Sequence, residues 1–448
     1  MEEVSASNEL YASINGQLGV AYRQHPIGDR GDNLRQAITR LNLALENSKP
    51  EDNFIAYAQL LNSLANSYAD LDMLSNTSDD LIKAIEYYEQ ALKYVSPQIS
   101  ALDYAGIVGN LAQANITLVG RVDQKIELLE YTLSMCKTSL EYLSPVTAPL
   151  SYAGQQAVIG DLYQALAVYQ APRQNLHLAV AAYLETLKYH SINSAPLSYA
   201  SILRALGKVY NLLASRESDA RVYFELALSS LKEALLIYDP ALQPHNYAST
   251  CHRISKVYCN MADSGIAKLE HWVDEARRYI ENALAYLIPQ NDPSLYIEAL
   301  SESAIVKIKL AVLQDRTQDL EHTLDEFYEL AAISIIELKT NARRIHWELG
   351  DAYWLFFEKS QRLSYLSKSI EWYEEALTRF PDSTYPLASA DISRALGRNY
   401  EAFARFEEAI SNRRRAISYW QFAANFYGSL ELSEDVRELR AKISASSV

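Results

Sequence analysis

Cys251 and His252 are the residue types of a thiol nucleophile and its base, and they stand next to each other in the chain. A cysteine nucleophile needs an imidazole to take its proton, with the two side chains converging. Neighbours on a helix diverge instead, by about 100°. Cys251 also falls at a packing position, where a buried thiol is the simpler reading. His245, His252 and Cys259 could together suggest a metal ion. Cys251 and Cys259, however, would lie about 12 Å apart along a helix, too far to share one ion ligated at about 2.3 Å. No Gly-x-x-x-x-Gly-Lys phosphate loop occurs. Carboxylate pairs such as Glu374-Glu375 read as solvated helix faces. The expectation is a chain that is not an enzyme, with no cofactor and no metal.

The composition bounds what the chain can do instead. Its 448 residues would suffice for two or three ordinary domains. Gly (14) and Pro (13) are scarce, which suits long helices, and 32 Tyr stand against 10 Phe. Tyrosine fills the seam between helices while its hydroxyl reaches a polar edge. The formal net charge of −15 argues against nucleic acid or an anionic membrane as the main partner. Three scattered cysteines (Cys136, Cys251, Cys259) fit a reducing compartment. The start, Met-Glu-Glu-Val-Ser, has neither the charge nor the apolar stretch of a signal peptide. A run of about 18 apolar residues is missing as well. The expected location is the cytoplasm.

The elements that position side chains come from an internal repeat. Tyr57, Tyr104, Tyr152, Tyr199, Tyr247 and Tyr296 follow one another at steps of 47 to 49 residues. A second ruler is Leu18-Gly19-x-x-Tyr22, repeated at Leu206-Gly207-x-x-Tyr210, Leu349-Gly350-x-x-Tyr353 and Leu396-Gly397-x-x-Tyr400. Tyr68, Tyr163 and Tyr258 occupy the same slot with altered neighbours, whereas Asn115 and the Ser303–Ile308 stretch depart from it. Both rulers give a period near 47. The later half of each unit repeats too, as in Asp80-Leu81-x-x-Ala84-Ile85-x-x-Tyr88-x-x-Ala91-Leu92 and Ser369-Ile370-x-x-Tyr373-x-x-Ala376-Leu377. Apolar residues at steps of three and four mark amphipathic helices. Pro97, Pro145, Pro240, Pro289 and Pro381 follow these stretches and stop them. Small residues such as Ala65, Gly160, Gly207 and Gly397 are expected where a facing helix approaches closely.

These motifs resemble tetratricopeptide repeats: Leu-Gly-x-x-Tyr matches the family's first helix, and Ala84, Ala91 and Pro97 match its second. The period departs from the common one of about 34. The extra residues are expected in the loop between the helices and at the end of the second helix. Gly19-Val20-Ala21-Tyr22-Arg23, Gly28-Asp29-Arg30 and Asn33-Leu34-x-x-Ala37-Ile38 look like a bacterial long-period subtype, of the kind that accompanies CHAT caspase-like peptidases. The fold implied is all-α: a tetratricopeptide-like α-solenoid, a right-handed superhelix of about nine helical hairpins over residues 1–431. A capping helix and tail follow over 432–448.

In that family the first helix of each hairpin lines a concave surface. The resemblance places Ser13, Gly16 and Val20 on it, then Gln59, Asn62 and Asn66, then Gly106, Gly109 and Gln113. Further along come Arg204 and Lys208, His252 and Lys256, Arg344, Trp347 and Asp351, and finally Arg394 and Arg398. The implied groove begins small and amide-bearing and turns basic, which suits an acidic peptide or C-terminal tail. The competing reading is that these cations offset carboxylates on neighbouring helices. For Arg413-Arg414-Arg415 a solvated face is preferred. The expected function is a scaffold or adaptor holding a protein or peptide in the groove. The alternative is a regulatory or sensor subunit of a bacterial effector such as a caspase-like peptidase. The sequence leaves the oligomeric state open.

Overall fold

A computed structural model describes residues 2–25, 27–75, 78–119, 125–265, 268–289, 293–330, 335–379 and 386–446, with side chains for all of these except 2–7, 75, 330 and 335–342. The described residues form nineteen helices and no strand. They run as hairpins: α1 (Glu2–Gln24) with α2 (Arg30–Glu46), α3 (Phe54–Ser75) with α4 (Asp79–Ala91), α5 (Ala101–Leu118) with α6 (Lys125–Tyr142), and α7 (Pro149–Leu166) with α8 (Pro172–Leu187). Next are α9 (Pro196–Ala214) with α10 (Ala220–Ile237), α11 (Pro244–Asp263) with α12 (Leu269–Tyr286), and α13 (Pro293–Leu313) with α14 (Gln318–Leu330). The series ends with α15 (Ile335–Ser360) and α16 (Leu363–Arg379), α17 (Pro386–Phe403) and α18 (Ala409–Ser429), and the single α19 (Ser433–Ser446). Each hairpin is tetratricopeptide-like, and the fold is the all-α solenoid type that the periodicity implies.

The tyrosines hold each pair antiparallel. Tyr57 meets Tyr94 edge-on with ring centroids 5.1 Å apart, and Tyr152–Tyr189 and Tyr247–Tyr286 repeat the contact at 5.5 and 5.1 Å. These pairs join the start of a first helix to the end of its partner. Further along the same hairpins, Tyr68 stacks on Tyr87 and Tyr258 on Trp272, and Tyr400 stacks on Tyr419. Both rulers of the sequence thus supply aromatic rungs, each worth about 0.5–1.5 kcal/mol beyond simple burial where it forms.

Close approach explains the glycine in Leu-Gly-x-x-Tyr. A Cβ on Gly207 would sit 2.4 Å from Leu231 Cγ, and one on Gly397 would sit 2.3 Å from Trp420 Cδ1. The second helices are amphipathic; α4 buries Leu81, Ala84, Tyr88 and Ala91 along one stripe. Successive first helices are laced together by amides. Gln59 donates to Asp103, Asn110 to Asn62, Gln113 to Asp161, and Asn260 to Asn211, all within 2.8–3.1 Å.

The extra length of the period falls partly where expected, in the second helices, and partly in the first. First helices run from 18 to 26 residues and second helices reach 18 in α10 and 21 in α18, while the connection inside a hairpin is as short as 361–362. Length goes into the helices because an extra helical turn adds buried stripe, whereas a longer loop adds only ordering entropy. Pro97, Pro145, Pro240 and Pro289 lie in the turns after second helices, and Pro381 lies outside the described residues. Another set, Pro149, Pro196, Pro244, Pro293 and Pro386, opens first helices, where the missing N–H has no intrahelical partner anyway.

The chain divides into two compact units, Met1–Leu166 with Ala181–His190, and Ala167–Val180 with Ser191–Val448. In the second unit α19 packs Leu439 into the cluster that holds Trp420 and Tyr427. No described helix is long and apolar enough to cross a membrane.

Candidate partner-binding cavity

In the second unit, side chains from α9, α11, α13, α15 and α17 line a cavity of about 980 Å³. These are the first helices of their hairpins. Much of the wall is apolar: Leu212, Val312, Trp347 and Leu355, with Val168 and Leu269 at its edges. Val168, Leu212, Leu269 and Leu355 remain 40–43% exposed, so this apolar surface is not consumed by folding.

The polar groups are held in a network. Lys309 Nζ, on α13, lies 2.6 Å from Asp263 and 2.9 Å from Glu348. Burial alone would lower the Lys309 ammonium, but Glu348 and Asp263 hold it well above its usual range. Burial would likewise raise Glu348, yet Lys309 and Arg344 keep its carboxyl below the ordinary value. Arg344 donates to Glu302 at 3.2 Å. Arg398 stacks on the Trp354 ring, 3.9 Å from its centroid, and donates to the Tyr373 hydroxyl at 3.0 Å. That hydroxyl donates in turn to Asp351 at 2.6 Å. Burial, and then the neighbouring Glu348, push the Asp351 carboxyl up to about 7.

Lys256, like Arg398 and unlike Lys309 and Arg344, makes no ion pair among the described residues. The adjacent Arg344, and then burial, push its ammonium down to about 8. At the rim, Arg216 lies 3.8 Å from Asp391, joining the turn after α9 to α17. The curl of this unit thus brings hairpins far apart in sequence to opposite edges of one space.

Of the residues placed on the inner surface by the sequence, Lys256, Arg344, Trp347, Asp351 and Arg398 come together in this cavity. Four others do not line it. Arg204 lies 6.0 Å from the Tyr238 ring, and Lys208 is half-buried on α9. His252 sits 4.0 Å from Glu302, and burial holds its imidazole well below the usual range. Arg394 pairs with Asp435 at 3.0 Å and with Glu438.

In the first unit, Gln59 joins Ser13, Gly16 and Val20 in a separate cavity of about 710 Å³. Asn62 and Gln113 belong to the amide ladder, and Asn66 accepts from the Tyr88 hydroxyl at 2.6 Å. Gly106 is open on its Cβ side, while Gly109 faces Val158.

The wall is not the run of cations expected. Asp263, Glu348, Asp351, Glu358 and Asp391 stand among Lys256, Lys309, Arg344 and Arg398. A frame that samples three positions per hairpin passes over Glu348 and Trp354. It also offers nothing for Lys309, whose hairpin lacks the Leu-Gly pair. Trp354, directly after the ruler tyrosine Tyr353, was the available signal.

The three thiols lie in the interior. Cys136, Cys251 and Cys259 are buried, and burial pushes Cys136 and Cys251 up to about 12 and Cys259 well above its usual range. Among the described residues no cluster of three or more His, Cys, Asp or Glu could hold a metal ion. Arg413, Arg414 and Arg415 are exposed on α18, with Arg415 over the Tyr400 ring at 5.4 Å.

No protein-family model and no curated protein matches the chain. Among solved structures, a Rap protein complexed with competence and sporulation factor is similar at 12% identity and a TM-score of 0.47, over 88% of this chain and 97% of that one. A monomeric IFIT1 mutant with Gppp-AAAA aligns at 12% identity and a TM-score of 0.45, over 100% of this chain and 88% of that one. A STAND signal-transduction ATPase with a tetratricopeptide repeat sensor, from Pyrococcus horikoshii, aligns at 14% identity and a TM-score of 0.44, over 99% and 64%.

Proposed function

We propose that this chain is a non-catalytic scaffold that holds a segment of a partner protein in the cavity of its second unit. One observation carries the reading. Val168, Leu212, Leu269 and Leu355 stay exposed around a single 980 Å³ space that also contains Trp347 and a fixed set of charges. An apolar wall with a few oriented polar groups is the usual form of a binding site. The apolar side chains supply affinity by leaving water, and the charges set register and reject wrong partners.

An acidic group on the segment would meet Lys256. Arg344 already has Glu302, and Lys309 already has Asp263 and Glu348. Arg398 is engaged by the Trp354 ring and the Tyr373 hydroxyl, which leaves Lys256 as the wall cation whose positive charge a bound carboxylate would compensate most fully. The wall's four cations are offset by five acidic residues, so it lacks the positive excess that a phosphate backbone needs, which favours a protein segment over nucleic acid. The same cavity would serve a regulatory subunit of a bacterial effector such as a caspase-like peptidase. That version differs in requiring that occupancy change the effector's activity.

The test is to identify partners by co-purification from the native host, then measure affinity for Leu212→Glu and Leu355→Glu variants. Both side chains are substantially exposed, so the variants should fold. At least a tenfold loss of affinity is expected. Undiminished affinity in both would remove the cavity from the account.

A further inference from the structure

A second space opens at the far end of the same unit, where the C-terminal ends of α15, α17 and α19 meet. It has a volume of about 470 Å³ and is walled by four aromatic rings, Trp354, Phe357, Phe406 and Trp420. Trp354, Phe357 and Trp420 belong to the core, being 9%, 4% and 4% exposed, so three sides of the space are rigid. Phe406 is different. It lies in the turn between α17 and α18, is 46% exposed, and meets Phe357 edge-on at 6.1 Å. An aromatic side chain half in water beside an open cavity is where a bound apolar group gains most from contact.

The polar groups at this corner have spare capacity. Arg405, next to Phe406, is exposed and makes no ion pair among the described residues. Glu401 Oε2 and Arg398 Nε are buried without a hydrogen-bond partner. Lys442, on α19, is already bound to Glu438 at 2.7 Å. Arg405 is thus the cation here that an incoming anion would meet first.

Trp354, Glu358 and Arg398 line both this space and the larger cavity. The stacked Trp354–Arg398 pair, fixed by the Tyr373 hydroxyl, therefore forms a partition shared by two adjoining spaces. One extended chain could occupy both.

We propose that the aromatic corner is a specificity subsite for the bound protein segment, taking a bulky aromatic or aliphatic side chain beside Phe406, with a neighbouring carboxylate on Arg405. The continuity of the two spaces makes this an extension of the segment-binding reading. The corner can nevertheless be tested alone, because its ligand is one side chain and one charge.

The probe is N-acetyl-L-phenylalanine, which carries both, titrated against the full chain by ligand-observed NMR. A dissociation constant of roughly 1 mM is expected for a ligand of this size. N-acetyl-L-phenylalaninamide, which lacks the charge, should bind about threefold or more weakly. Arg405→Gln should reduce the acid to the level of the amide, and Phe406→Ala should weaken both at least fivefold. Leu236→Ala, 88% exposed on α10 and outside both spaces, should leave the probe unaffected. Arg405 and Phe406 are exposed, so neither substitution threatens the fold, and circular dichroism confirms that it is retained. Equal binding of acid and amide, or binding indifferent to Phe406→Ala, would overturn the subsite. Should the larger cavity not hold a partner, Leu355→Glu would spare partner binding while the probe result stood unchanged, so the two claims fail separately.

Discussion

Tyr373 donates its hydroxyl proton to Asp351 at 2.6 Å, and the bond recurs as Tyr88 to Asn66 and Tyr183 to Asp161, each across 22 residues. The repeat has kept a tyrosine in the second helix and an oxygen acceptor in the first. The charge of that acceptor differs from hairpin to hairpin. At Asp351 it sits beside Glu348 and next to the Trp354–Arg398 stack, on the cavity wall.

That placement gives a pH dependence with a definite sign. Burial and Glu348 raise the Asp351 carboxyl from 3.8 to about 7. Between those values the folded chain keeps a proton that the unfolded chain has released. The stability from this group is therefore full below about pH 4 and is lost as pH rises through about 7. Asp351→Asn keeps an oxygen acceptor for Tyr373, as Asn66 does for Tyr88. Its melting temperature is expected to exceed the parent's by a few degrees at about pH 8 and to match it at about pH 4. Parallel melting curves at both pH values would contradict the assignment.

Two glycine substitutions should act in opposite directions. Alanine is favoured over glycine within a helix by about 1 kcal/mol. At Gly106 a Cβ meets nothing within 4 Å, so Gly106→Ala should stabilise by up to about 1 kcal/mol in denaturant titration. At Gly207 the new methyl would sit 2.4 Å from Leu231 Cγ and 3.2 Å from the Ala227 carbonyl oxygen. Gly207→Ala should destabilise by about 1–3 kcal/mol, the cost of overpacking less the helical gain. The same sign for both would refute the close approach of α9 and α10.

Thiol reactivity checks the burial of the cysteines. With Cys136 and Cys251 up at about 12 and Cys259 pushed well above its usual range by burial, almost no thiolate exists at neutral pH. A disulfide reagent should modify none of the three in the folded chain over minutes, and all three once denaturant is added. Rapid modification of Cys251 in the folded chain would reopen the nucleophile reading beside His252.

The hairpins were legible in the sequence because the rungs that hold them are single residues at fixed steps. Tyr57, Tyr152 and Tyr247 each find a tyrosine at the end of the partner helix, and Gly207 and Gly397 each find a large side chain. The site was legible only in part. Lys256, Arg344, Trp347 and Arg398 could be placed because their hairpins carry enough of the motif to set a frame. Lys309 sits in a hairpin without the Leu-Gly pair, and Asp391 is brought to the rim by curvature, which no local spacing encodes. The charge balance was misjudged for a related reason. Counting inward positions one hairpin at a time omits Glu302, which meets Arg344 from the preceding first helix.

The central claim is that a partner segment lies against the inner wall of the second unit. A photocrosslinking amino acid at Leu355, on that wall, tests it directly in the native host. The control position is Leu236, 88% exposed on α10 and outside the cavity. The account predicts a discrete crosslinked protein from position 355 that is absent from position 236 and is lost when Leu212→Glu is added. Crosslinks of the same partner from position 236 with none from position 355 would contradict it.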